Sequence, residues 1–433
     1  MQERILLIGS GGREHAMARA LQRSASCIEL YIAPGNPGIA QHGTCVALDV
    51  DNGLAVATWC RERSITLVVV GPEQPLAAGL ADVLRAQGVD VFGPSQAAAR
   101  IESSKVFAKE LMVRYGIPTA AYRRFTSSQR SEAIAYVRDH ALPVVIKADG
   151  LAAGKGVVVA TERQVAIEAV EEMFNGSFGA SSAEIVVEAF LAGEEASLFA
   201  ISDGTNYVVL AGAQDHKRIG DGDTGKNTGG MGAYAPAPIV TPELLERAQH
   251  EVITPMIDAM REKGHPFVGC LFAGLMIDAD GSINVVEFNC RFGDPETQAV
   301  LSICDGDVAA LFASAARGAV NPATLQSIAS QVACTIVLAS EGYPDSYEKG
   351  APIYGIEQAE ALGNVIVYHA GTAWKDGELV SNGGRVLGVT ALAPTLQEAR
   401  DRAYEAAACI QYRTKTYRSD IALKGIRRVE QFS

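Results

Sequence analysis

Cysteine pairs are missing from this chain. Its eight cysteines stand at positions 27, 45, 60, 270, 290, 304, 334 and 409, and no two have CxxC spacing. That removes the usual thiol metal sites and the CxxC redox motif. Scattered thiols, several in apolar company, fit a reduced, cytoplasmic protein. Positive charge is also short: 37 Lys and Arg against 50 Asp and Glu leave a net charge of −13. With no basic stretch to offset it, nucleic acid is excluded as a bulk partner, and small anionic ligands held by local loops fit better. No apolar run approaches membrane-span length, so no membrane partner is expected. The start, Met1-Gln2-Glu3-Arg4 and then a short apolar run, lacks the layout of a signal peptide.

What is present is length, hydrophobic residues and glycine. The 433 residues are 48% hydrophobic and include 43 glycines. That suits an α/β enzyme of about two to four domains with many tight βα turns. Residues 4–8, 28–33, 67–70 and 89–92 read as strands, and 14–23, 54–63 and 76–87 as helices. Such alternation predicts a parallel sheet with loops gathered at its carboxyl edge. Ser95 caps a helix to residue 100, and Ser103 begins another to about 115. Gly116-Ile117-Pro118 then marks a domain border. A small mixed α/β unit of lid size spans about 120–190, and a strand-rich region starts at 332.

The turn Gly9-Ser10-Gly11-Gly12-Arg13-Glu14-His15 has the first two glycines of a dinucleotide fingerprint. Glu14 occupies the third glycine's place, and the second strand ends without an acid for a ribose, which argues against a nicotinamide cofactor. Such a helix start can hold one phosphate group, or serve as a plain βα turn.

Residues 144–159 read as two β-branched runs around a glycine-rich tip. Lys147 leaves the first strand, and Lys155 stands in the tip between Gly154 and Gly156. Two cations converge there, as a polyphosphate requires. This is no P-loop: three residues separate Gly150 from Gly154, Gly156 replaces the Ser or Thr, and a strand follows where a helix should open. An ordinary hairpin with surface lysines fits the same residues.

Residues 185–195 run from a strand through Glu188, Phe190 and Leu191 to Glu195. Backbone groups there can read an adenine edge, and a carboxylate can hold ribose hydroxyls. A solvated turn would look the same. Residues 215–232 carry too much glycine and charge to build a core, which predicts a long loop, functional or disordered. Their acid spacing is not that of an EF-hand. In 283–290, alternation places Val285, Glu287 and Asn289 on one face and Phe288 on the other. A carboxylate and an amide oxygen two residues apart suit Mg²⁺ carried by a nucleotide, and equally a solvent-facing pair on an edge strand.

In this order the pieces resemble the ATP-grasp ligases, and within them the phosphoribosylamine–glycine ligase (glycinamide ribonucleotide synthetase) family of purine biosynthesis. The resemblance covers essentially the whole chain. It is carried by Ile8 to His15, Gly71-Pro72-Glu73, Lys147 to Gly156, Gly193-Glu194-Glu195-Ala196-Ser197, Asp215-His216-Lys217-Arg218, Asn227 to Gly232, Glu287 to Glu296 and Gly383-Gly384-Arg385-Val386. It implies an α/β chain in three parts: a pre-ATP-grasp parallel-sheet domain at 1–103, an ATP-grasp body at 104–330 with a small α+β lid, and a strand-rich carboxy-terminal domain at 331–433. The implied reaction takes ATP, glycine and 5-phosphoribosylamine to glycinamide ribonucleotide, ADP and phosphate through glycyl phosphate.

By the same resemblance Lys105, Lys147, Gly154, Lys155, Gly156, Glu188, Phe190, Leu191 and Glu195 would hold ATP. Glu287 and Asn289 would hold Mg²⁺ or Mn²⁺. Arg291 would steady the transferring phosphoryl group, with Lys147 and Asp294 as further catalytic residues. Gly11, Gly12, Arg13, Glu14, Asp215, His216, Lys217, Asn227, Thr228, Gly229, Gly230, Met231, Gly384 and Arg385 would hold glycine and the sugar phosphate. The resemblance is compatible with a cytoplasmic monomer or weak homodimer. Biotin- or aminoimidazole-directed carboxylases would share the nucleotide residues and differ at 215–232. One departure stands near the end: the family pattern Arg-x-Asp-Ile-Gly is here Arg418-Ser419-Asp420-Ile421-Ala422, which puts the local turn in doubt.

Overall fold

A computed structural model describes residues 1–151, 156–176, 184–325 and 331–432. The amino-terminal strands Thr44–Cys45, Cys27–Pro34, Glu3–Gly9, Leu67–Val70 and Asp90–Phe92 lie side by side in that order, all parallel. Leu6, Ile8, Val68 and Val70 belong to one apolar cluster, and Ile5, Leu7, Leu67 and Val69 to another. Both faces of the sheet are therefore buried, which is why its strands read as unbroken apolar runs. The helix expected over 76–87 is two helices, Glu73–Ala77 and Leu80–Ala86, because Gly79 between them is left-handed at φ +90°. Ser95 caps Gln96–Ser103 as expected, but the next helix, Lys105–Arg114, is capped by Ser104 and not Ser103: the Ser104 hydroxyl accepts from Phe107 N.

The lid is an antiparallel sheet in the order Tyr122–Thr126, Glu184–Ala189, Val144–Ala148, Val157–Ala160. Helices Arg130–Asp139 and Arg163–Phe174 contribute Val137, Ala166 and Val170 to its separate core. Lys147 thus stands next to last in the first arm of the expected hairpin, opposite Val157. Gly154 and Lys155 lie outside the described residues. The body is a second antiparallel sheet, Tyr207–Val209, Glu194–Asp203, Val268–Ile277 and Ile283–Asn289. The third large sheet takes Val332–Ser340, Arg385–Ala393, Val365–His369 and Lys415–Thr416 from the carboxy-terminal region. It also takes Gln214–Asp215 and Gly232–Ala235 from the 215–232 segment. That segment is more ordered than a plain loop: Arg218–Gly220 and Thr224–Asn227 pair as a hairpin. Among the described residues, no helix is long and apolar enough to cross a membrane.

Strict alternation in Ile283–Asn289 fails at one point. The register with Val268–Ile277 slips between Gly274, opposite Glu287, and Leu275, opposite Val285. Val286 is the extra residue of a β-bulge. Ile283, Val285 and Phe288 all enter the core, while Glu287 and Asn289 face the other way. Val285 and Glu287 therefore do not share a face. Without the bulge Glu287 would follow Val285 into the apolar core.

Candidate active site

The lid strands and the body strand meet at Lys147. Its Nζ donates to Val286 O across the bulge at 3.0 Å and lies 3.1 Å from Glu188 Oε2. Lys109 Nζ, from the helix Lys105–Arg114, reaches the same Glu188 oxygen at 3.1 Å and donates to Thr119 Oγ1 at 2.7 Å. Burial pushes the Lys109 ammonium down to about 8 despite Glu188. Glu188 Oε1 is buried without a partner. Lys105 Nζ donates to Gly150 O at 2.8 Å.

Glu287 is ringed by cations. Lys217 Nζ stands 3.9 Å away and also pairs with Glu195. Burial would raise the Glu287 carboxyl, but Lys217, Lys147, Lys105 and Arg291 outweigh it and hold the group down at about 2. Asn289 is 5% exposed, and its Nδ2 has no partner. Turning the amide over would present its oxygen instead. An ionised carboxylate and a free amide are hard donors that fit Mg²⁺ or Mn²⁺. Among the described residues no cluster of three or more His, Cys, Asp or Glu could hold a metal. Two protein ligands, with the remainder from phosphate oxygens and water, is how Mg²⁺ is commonly held on nucleotides.

Arg291 sits between carboxylates. Its Nε donates to Glu73 at 3.2 Å, its Nη2 to Glu102 Oε1 at 2.7 Å and its Nη1 to Phe292 O at 3.1 Å. Burial opposes its charge, yet Glu102 and Glu73 raise it above the ordinary guanidinium value. Phe190 and Leu191 follow the lid strand, Phe190 exposed and Leu191 half-buried.

A second group of sequence-predicted residues gathers at the amino-terminal turn. Gly11 and Gly12 lie against Asp294, and Gly12 against Gln298 as well. Arg385 Nη2 is 3.2 Å from Asp294 Oδ2, and Nη1 donates to the carbonyls of Asp294 and Gly229 at 2.6 Å. It also reaches Gly230 O at 3.4 Å. Glu14 is turned inward: it accepts from Gly11 N at 2.7 Å and from Arg13 Nε at 2.6 Å. A Cβ on Gly71 would overlap Glu14, so the glycine of Gly71-Pro72-Glu73 makes room for that carboxylate. Arg13 is also turned inward, donating to Phe292 O at 3.1 Å. Asp215 and His216 are buried. Burial, opposed by Lys217, raises the Asp215 carboxyl; burial lowers His216 to about 3, and its Nδ1 has no partner. Met231 has its side chain in the core. Thr228 Oγ1 donates to Lys217 O at 2.9 Å, Asn227 pairs with Arg218, and Gly384 O accepts from Ser340 N at 2.7 Å.

Sequence reasoning missed Lys109, Glu102 and Gln298, and it quoted Glu73 without a role. Lys109 had a signal, standing one helical turn after Lys105. The others reach their partners only through the fold.

A parallel-sheet domain, an antiparallel body and a lid closing over a lysine–carboxylate cluster define an ATP-grasp enzyme. Known proteins agree. The description "Phosphoribosylglycinamide synthetase, N domain" matches residues 3–102, the ATP-grasp (A) domain of the same synthetase matches 103–297, and its C domain matches 333–424. The phosphoribosylamine–glycine ligase of Brucella melitensis biotype 1 is 51% identical over 98% of this chain and 99% of its own. The crystal structure of phosphoribosylamine–glycine ligase from Thermotoga maritima superposes with a TM-score of 0.83 at 35% identity, covering 97% of this chain and all of the other. At 16% identity, N5-carboxyaminoimidazole synthase from Aspergillus clavatus, in complex with ADP and 5-aminoimidazole ribonucleotide, shares the fold: TM-score 0.68, 94% of this chain and 98% of the other. The chain belongs to the phosphoribosylglycinamide synthetase family.

Proposed function

We propose that this cleft joins glycine to 5-phosphoribosylamine, converting ATP to ADP and phosphate and releasing glycinamide ribonucleotide for purine biosynthesis. One observation carries the reading: Lys147 of the lid reaches the Val286 carbonyl beside Glu287, and Lys217 lies 3.9 Å from the Glu287 carboxylate, so lid and body cations meet at the candidate metal strand. Lys147, Lys217 and Arg291 also pair with Glu188, Glu195, Glu73 and Glu102, so these side chains are held in place at the cleft, where they can meet the phosphates of ATP. Whole-length similarity to glycine ligases supports the choice of acceptor.

A free carboxylate is a poor acylating agent. Transfer of the γ-phosphoryl group to a glycine carboxylate oxygen gives glycyl phosphate. The amine of phosphoribosylamine then attacks the acyl carbon, loses a proton, and phosphate leaves. Lys147 and Lys105 bind the polyphosphate, as do Gly154, Lys155 and Gly156. Glu188, Phe190, Leu191 and Glu195 hold the nucleoside. Glu287 and Asn289 would hold Mg²⁺ or Mn²⁺, which screens the phosphoryl oxygens. Arg291 steadies the transferring group. Gly12 and Arg385 meet the sugar phosphate, since Glu14 already occupies the Gly11 N–H. Asp215, His216, Lys217, Asp294 and the 227–231 segment enclose glycine and the sugar. The division at 1–103, 104–330 and 331–433 belongs to the same reading, as does a cytoplasmic monomer or weak homodimer with eight free thiols.

Incubation with ATP, glycine and phosphoribosylamine should form glycinamide ribonucleotide and ADP. A bicarbonate-dependent product from aminoimidazole ribonucleotide, with none from glycine, would overturn the reading.

A further inference from the structure

Arg291 is held by a residue from outside the cleft. Glu102 lies near the end of the helix Gln96–Ser103 and is 9% exposed. One of its oxygens accepts from Arg291 Nη2 and the other from Cys290 N, each at 2.7 Å. A single carboxylate thus grips two successive residues that follow directly on Glu287 and Asn289. Glu73 takes the Nε edge and Phe292 O takes Nη1. Three of the five guanidinium N–H groups are committed. Because the group is planar, those bonds fix where the other two point. Phe292 anchors the next position, 1% exposed against Phe92, Phe199 and Phe312.

From this geometry we infer that Glu102 is a positioning residue for the ligase reaction, orienting Arg291 and the end of the metal-strand residues for phosphoryl transfer. The inference rests on the role given to Arg291 above. Both Glu102 oxygens are occupied, so its action is indirect. A glutamine at 102 would set an NH₂ group against one of two N–H donors and lose that bond.

The test is a double-mutant cycle on the full chain with Glu102→Gln and Arg291→Ala, read by product formation. Glu102→Gln should lower kcat roughly tenfold to a hundredfold, as misplacement of a catalytic group does. KM for ATP should stay within about threefold, because a group that steadies the transferring phosphoryl acts on the transition state more than on ground-state nucleotide binding. In the Arg291→Ala background the same change should lower kcat by less than about twofold. Equal losses in both backgrounds, or unchanged kcat with only a lower melting temperature, would overturn the inference and leave Arg291 in its role. A normal rate for Arg291→Ala would instead sink the role of Arg291 and the inference with it. If Glu102→Gln does not fold, Glu102→Asp, which keeps the charge and shortens the reach, carries the same cycle.

Discussion

Replacing Lys147 by Met separates its two roles. In the folded protein Lys147 and Lys109 share one oxygen of Glu188. Removing Lys147 leaves Glu188 paired with Lys109, a neutral couple. The stability loss is therefore set by the unsatisfied Val286 carbonyl, about 1–3 kcal/mol. Removing Glu188 instead leaves two buried ammonium groups facing each other, and breaking a buried pair that way costs about 3–5 kcal/mol. Lys147→Met should thus remain folded and be more stable than Glu188→Gln in urea titrations. Its loss in function is set by the phosphate contact. A charge-assisted hydrogen bond to phosphate contributes roughly 1.5–3 kcal/mol. ATP affinity by calorimetry should accordingly fall about 10- to 150-fold. An ATP affinity within twofold of the parent would show that Lys147 does not touch the phosphates. A variant less stable than Glu188→Gln would show that the shared-oxygen account is wrong.

Glu287→Gln should raise the Mg²⁺ concentration needed for half-maximal rate and cut the rate, since a formal charge leaves the donor set; Phe288→Leu, on the core side of the bulge, should lower stability by about 1 kcal/mol and leave the metal titration unmoved. Ala422, where the resemblance implies glycine, sits at φ +68°. The turn is therefore kept at the cost of backbone strain, and Ala422→Gly should raise stability by about 1 kcal/mol in denaturant unfolding; no gain would mean that the strain is absorbed. Burial holds the 3% exposed His369 down at about 4. The unfolded chain binds that proton first, so stability complete above pH 6.5 is lost as pH falls toward 4, by about 3 kcal/mol for this group. A His369 ring resonance that titrates at about pH 6.5 by NMR in the folded protein would contradict a neutral buried His369.

The parallel sheet was legible because its strands are apolar on both faces and separated by helical periods. The Lys147 cation and the Glu287–Asn289 pair were legible because their chemistry is written in adjacent residues. The Val286 bulge was not, since one extra residue leaves no trace in an alternating pattern. Nor was the break at Gly79, because a glycine inside a helical run is tolerated as often as it ends one. Glu102 reaches Cys290 across 188 positions. Asp221 and Asp223 accept from Ser419 and Arg418, tying the 215–232 segment to the carboxy-terminal turn. Such pairs become visible only once the sheets have brought the segments together. The carboxy-terminal sheet likewise recruits residues 214–215 and 232–235, a sharing across the expected border at 331 that no local pattern announces.

The central claim is that glycine is activated by phosphoryl transfer to its carboxylate. Glycine labelled with ¹⁸O in both carboxylate oxygens, incubated with unlabelled ATP and phosphoribosylamine, measures this directly by mass spectrometry of the released phosphate. Phosphate carrying one labelled oxygen, formed together with ADP, is the predicted result. Unlabelled phosphate, or AMP and pyrophosphate as products, would contradict it.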